Sequence, residues 1–245
     1  MARRGTAVLA SGLVAIIALG GAGGYGVGWL TALDRSTTAT GKAMPLGQIK
    51  AVTTPAPTPT PTPEPDDPRN PIPDNSKPLR TGDLNYRSRT FTVQGTLKSE
   101  ITLDLPDGWA YIAQDPPNNA RFNEPIGKRW VRVEGGFPLT RPPATSMAIR
   151  VKKLLKLPKN QHVTILSQID DGHTATLTYK YVPGRDLSPN AILRYGFIRW
   201  VADDSGDVMV EIAVTGLPQD AAALRDILDH ASESVERRDT PLAPS

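Results

Sequence analysis

Hydrophobic residues follow three regimes along this chain. Residues 5–33 hold no charged side chain and run almost continuously apolar or Gly-rich. Residues 34–80 have no apolar period at all. From about residue 81 onward, short runs alternate apolar with polar, as strands do, or repeat at helical spacing.

In the third regime Ile101, Leu103 and Leu105 alternate and stop at Pro106-Asp107-Gly108-Trp109, which predicts a strand over 99–105. A second strand is predicted over 129–134. Residues 145–157 fit two patterns: Met147, Val151, Leu154 and Leu155 make a helical face, while Met147, Ile149 and Val151 alternate. We read a helix ended by Pro158. Strands over 162–169 and 173–182 flank the turn residues Asp170-Asp171-Gly172. On the second, Ala175, Leu177, Tyr179 and Tyr181 share one face. Thr174, Thr176, Thr178 and Lys180 share the other, expected to be exposed or lightly covered. Strands over 192–202 and 207–215 join through Asp203-Asp204-Ser205-Gly206, with Val208, Val210, Ile212 and Val214 as the buried set. Gly216 and Pro218 then break the chain, and Asp220 is placed to cap a helix striped by Leu224, Ile227, Leu228, Ala231 and Val235. The expectation is an α+β domain over 81–238, an antiparallel sheet with packed helices, followed by a disordered tail over 239–245.

The uncharged stretch 5–33 is long enough, at about 1.5 Å per residue, to cross a hydrocarbon core of about 30 Å. Arg3 and Arg4 precede it, so residues 1–4 form a cytoplasmic stub and all that follows is exported. Tyr25 and Trp29 suit the outer interface. A cleaved signal peptide is the rival reading, although no A-x-A site follows. Gly20, Gly24 and Gly28 recur every fourth residue, a spacing that lets two membrane helices approach closely and raises a homodimer through this helix. Chance spacing in a Gly-rich segment is the alternative. A stub this short holds no folded effector.

Residues 34–80 read as a disordered Pro/Thr-rich linker, with a Thr-Pro repeat over 54–63. Alternating Pro favours polyproline II, a semi-rigid stalk with sites suited to O-glycosylation.

The succession Leu-Pro-Asp-Gly-Trp (105–109), Ala-Thr-Leu-Thr-Tyr-Lys-Tyr (175–181), Arg-Trp-Val (199–201), Val-Glu-Ile-Ala-Val-Thr-Gly (210–216) and a closing amphipathic helix resembles the PsbP-like sandwich domains. More narrowly it is similar to their secreted actinobacterial, LpqN-type versions. The resemblance implies an interaction or accessory domain of the cell envelope and supplies no catalytic residue. The sequence departs from the lipoprotein members in having no lipobox cysteine.

The 245 residues include no cysteine, which excludes disulfides, thiolate metal sites and a cysteine nucleophile. A formal charge of +3 is too small to argue for nucleic acid. His162, His173 and His230 lack metal-ligand spacing, and Gly-x-Ser-x-Gly, Ser-x-x-Lys and phosphate-binding glycine loops are missing. No cofactor or metal is expected. The Asp203–Asp207 stretch is read as a hairpin turn rather than a calcium loop. Trp109, Trp130 and Trp200, with Tyr179 and Tyr181, are read as packing residues. The cationic cluster Arg150, Lys152, Lys153, Lys156 and Lys159 would face away from the apolar side of the 145–157 helix. Outside the cytoplasm it suits lipid head groups, wall polymers or acidic proteins, a solvated surface being the plain alternative. The expectation is a non-catalytic, membrane-anchored, extracytoplasmic interaction domain. A cryptic envelope hydrolase or carbohydrate-active enzyme is the alternative, to be recognised by convergent carboxylates with perturbed pKa values.

Overall fold

A computed structural model describes residues 69–114, 117–138 and 141–240. The stub, the 5–33 segment with Gly20, Gly24 and Gly28, and most of the linker lie outside these residues. Among the described residues no helix is long and apolar enough to cross a membrane.

The chain forms β1 (Tyr86–Gln94), β2 (Lys98–Pro106), β3 (Ala110–Ala113), β4 (Asn119–Asn123), β5 (Trp130–Glu134), α1 (Pro143–Leu154), β6 (Thr164–Asp170), β7 (Thr174–Tyr181), β8 (Arg194–Ala202), β9 (Val208–Gly216), α2 (Ala221–Glu233) and β10 (Glu236–Thr240). Seven strands make one sheet in the order β3-β4-β5-β9-β8-β7-β6, and β1-β2-β10 make a second. Every strand pairing within the two sheets is antiparallel. The result is an α+β sandwich. The small sheet and α2 cover one face of the large sheet, and α1 covers part of the other.

Two apolar cores follow from this layering. Ile101, Leu105, Phe122, Val210, Ile212, Val214, Leu224 and Leu228 belong to the first, between the sheets and α2. Met147, Leu177, Tyr179, Ile198 and Trp200 belong to the second, beneath α1. Strand β9 therefore has no solvated face. Val210, Ile212 and Val214 enter the first core as expected, but Val208 turns to the second with Ala213, because the β8–β9 register shifts between Val201 and Ala202, an irregularity that breaks the side-chain alternation between Val208 and Val210.

The ambiguous segment is a helix, with Pro143 at its first position and Met147 buried. It stops at Leu154, earlier than Pro158 predicts. Backbone bonds from Leu155, Lys156 and Leu157 to Val151, Lys153 and Leu154 then tighten the chain into a turn. Pro158 instead precedes a single 3-10 turn, Lys159–Gln161. Asp220 stands at the start of α2 without capping it forward. Its carboxylate accepts from the Leu217 and Leu79 amides at 3.0 and 2.8 Å, and also from Arg129.

Both domain boundaries move outward from the expected 81 and 238. Arg69 is buried, donating to the carbonyl of Pro183 at 2.7 Å and to that of Ser188. Ile72 bridges Ile192 through backbone bonds of 2.9 and 3.2 Å. Lys128 pairs with Asp74 at 2.8 Å. Residues 69–80 thus form a strap fastened to the domain, because side chains such as Arg69 and Asp74 find partners that composition does not reveal. At the other end Asp239 and Thr240, assigned to the tail, pair with Ser99 and Lys98 in β10.

Candidate functional site

The cationic cluster is divided by the structure. Arg150 does not face solvent with the lysines. Its side chain is 13% exposed and reaches under α1 to Glu211 at 2.7 Å. Lys152 is exposed, and Lys153, one helical turn from Arg150, is half-buried. Lys156 and Lys159 are exposed but lie beyond the helix, in the turns that follow Leu154. Lys152, Lys156 and Lys159 form no ion pair with a described residue. Burial, with Arg150 and Arg141 nearby, lowers the Lys153 pKa. The surface part of the cluster is therefore a flank of lysines at the C-terminal end of α1, where cations also complement the helix dipole.

Beneath this flank lies an ionic network that the sequence reading missed. Glu211 of β9 accepts from Arg132 of β5 at 2.6 Å, from Arg150 at 2.7 Å and from the Trp200 indole at 2.8 Å. Arg132 also donates to Glu134 at 2.8 Å. Antiparallel register brings the carboxylates together, because Glu134 pairs directly with Glu211 across β5 and β9. Burial is the main force on Glu134, and with Glu211 beside it raises its pKa to about 7 against the pull of Arg132. Burial acts on Glu211 too, but Arg150 and Arg132 outweigh it and hold that carboxyl below its ordinary range. Burial also raises the hydroxyl pKa values of Tyr179 and Tyr181 on β7, beyond β8 in the sheet. A signal was present in the sequence: Arg132, Glu134 and Glu211 interrupt strands whose other residues are apolar on both faces. Such charges in a sheet centre must find one another.

These two carboxylates converge and carry perturbed pKa values, the mark set for an enzyme. Their setting differs from that of a working pair. The Glu134 and Glu211 side chains are 3% and 9% exposed, and Glu211 spends both oxygens on three donors. The arrangement locks α1 onto the sheet through Arg150.

A second buried cluster sits at the opposite side of β5. Arg129 is almost fully enclosed, paired with Asp220 at 2.6 Å and with Glu124, and donates to the Lys77 carbonyl at 2.8 Å. It ties the strap, β4–β5 loop and α2 start together. Of the histidines, His173 and His230 are exposed, His230 stacking on Tyr86 at 3.8 Å between ring centres. His162, also exposed, bonds the Arg69 carbonyl. Trp109 and Trp200 are core residues, while Trp130 is half-buried with Arg121 over its ring at 4.5 Å.

No protein-family model matches the sequence, and no curated protein does. The Saccharomyces cerevisiae Ran-binding protein Mog1p is similar in structure. It is 13% identical, over 62% of this chain and 95% of its own, with a TM-score of 0.43, a likeness too loose to carry function or family.

Proposed function

We propose that this chain is a non-catalytic interaction domain of PsbP-like type, held at the outer face of a membrane by its N-terminal apolar segment. Its surface contact is the lysine flank of α1, and its partner is an anionic, phosphate-bearing component of the envelope. The observation that carries this reading is the division of the cationic cluster. Arg150 is consumed by Glu211, while Lys152, Lys156 and Lys159 stand in solvent with no acidic neighbour among the described residues in ion-pair reach. Unbalanced lysines on a fixed scaffold favour a polyanion by about 1 kcal/mol each near an anionic surface. The uncharged run 5–33 supports the anchored topology, and the Thr-Pro repeat supports a stalk.

Crosslinking in intact cells, with mass spectrometry of the captured material, tests the reading. Capture of anionic lipid or of phosphate polymer supports it and tells the two sources apart. Capture that is identical in a Lys152→Gln/Lys156→Gln/Lys159→Gln chain contradicts it.

A second reading, an envelope hydrolase or carbohydrate-active enzyme, draws on the Glu134–Glu211 pair. It requires α1 to lift and expose both carboxylates. Turnover of an envelope glycan that is abolished by Glu134→Gln in a folded chain would favour this reading over the first.

A further inference from the structure

The threonine face of β7 forms one wall of a cleft of about 400 Å³ between the large sheet and α2. That volume lies in the range of small-ligand sites. The strand register orders its lining in three rows. Thr178 pairs with Phe197 in the first, Thr176 with Arg199 in the second, and Thr174 with Val201 in the third. Helix α2 runs alongside in the same sense as β8. The Arg225 guanidinium lies 5.8 Å from the centre of the Phe197 ring, and Ser232 accepts from Arg199 at 2.6 Å. Glu233, next in the chain, therefore falls toward the third row.

The rows differ in charge. At the first end Arg225 is exposed and forms no ion pair with a described residue. The Thr178 hydroxyl beside it is buried and has no hydrogen-bond partner in the protein, in a residue only 5% exposed. Buried hydroxyls are ordinarily paired, so this one marks an open bonding position in the wall. The middle row is neutralised internally. Arg199 donates to Thr176 at 2.9 Å and pairs with Asp229 at 2.8 Å. Toward the far end the cleft is lined by the carboxylates of Asp171 and Glu233. Asp171 is held as a carboxylate by the Thr174 amide and hydroxyl of its own turn, and its pKa is lowered. Between the ends the half-exposed Ile169 supplies apolar surface.

A cation with an unpartnered hydroxyl at one end and carboxylates at the other are complementary to a dipolar ligand. From Thr178 to Thr174 the strand advances about 13 Å. An extended peptide of three residues spans about 10 Å and one of four about 14 Å. We propose that this cleft binds a short peptide with free ends, its carboxylate at Arg225 and the Thr178 hydroxyl, its amine at Asp171 and Glu233. Ile169 contacts its side chains. The site is separate from the lysine flank, which lies on the opposite face of the sheet.

The test is calorimetric titration of the full chain in nanodiscs with tri-alanine, its C-terminal amide and its N-acetyl form. Both blocked forms are expected to bind about tenfold more weakly than the free peptide. The amide penalty should vanish in Arg225→Gln, and the acetyl penalty should shrink in Glu233→Gln. Thr178→Val, which removes a hydroxyl that bonds nothing in the protein, should weaken tri-alanine several-fold without lowering the melting temperature. Absence of saturable tri-alanine binding up to about 10 mM overturns the proposal. So does an amide penalty that persists unchanged in Arg225→Gln, or equal affinity for a peptide blocked at both ends.

Discussion

Tyr179 lies across β8 in the space that a side chain at Gly196 would need. A Cβ at that position would fall 2.6 Å from the ring carbon Cζ. Tyr179 is buried near Arg150, Arg132 and Glu211 and has little room to withdraw. Gly196→Ala is therefore expected to destabilise the domain by about 1–3 kcal/mol, read as a lower denaturant midpoint with an unchanged slope. Glu134 sets a second expectation at this scale. Its pKa is about 7 in the fold against 4.5 ordinarily, so between those values the folded state binds more protons than the unfolded chain. Stability falls as pH rises through this window, by on the order of 1–3 kcal/mol once the coupling to Arg132 and Glu211 is allowed for. Denaturant unfolding at pH 5 and pH 7.5 measures the fall, and Glu134→Gln should flatten it. An equal slope in the variant would place the titration elsewhere.

The strap over residues 69–80 is fastened at its start by one buried side chain, Arg69. Arg69→Ala leaves the Pro183 and Ser188 carbonyls without their charged donor, an expected loss of about 2 kcal/mol. Hydrogen exchange at the Ile72 and Leu193 amides, which bond across the strap at 2.9 and 3.2 Å, should quicken in that variant before the sheet opens. The strap also shows where sequence reading stops. β2, β7, β8, β9 and α2 are legible because each carries its own alternation or stripe. β10, Glu-Arg-Arg-Asp-Thr, contains no apolar residue. It is a strand because β2 pairs with it and because Ser99 donates to Asp239 at 2.6 Å. β1, β3 and β4 were likewise unread, being polar or short, and made by their neighbours. The cationic cluster was legible as composition and not as geometry. Periodicity put Arg150 on the outer face with the lysines, whereas its ion pair with Glu211 turns it inward, a contact that depends on the register of β5 and β9.

Across the whole molecule a net charge of +3 conceals a local separation. Glu134, Glu211, Asp220 and Glu124 are drawn into buried clusters with Arg132 and Arg129, while lysines at the end of α1 stay in solvent. That separation is the feature on which the proposed interaction role rests. Lys152→Gln/Lys156→Gln/Lys159→Gln should leave the unfolding midpoint within about 0.5 kcal/mol, as exposed unpaired positions do. The most direct measurement is the affinity of the full chain, in nanodiscs of zwitterionic lipid, for phosphatidylglycerol vesicles and for soluble polyglycerol phosphate at about 20 mM and 300 mM salt. Binding is predicted at low salt to at least one of these polyanions, weakened about 100-fold in the triple variant and largely lost at high salt. Binding equal in wild type and variant, or none to either polyanion at low salt, contradicts the account.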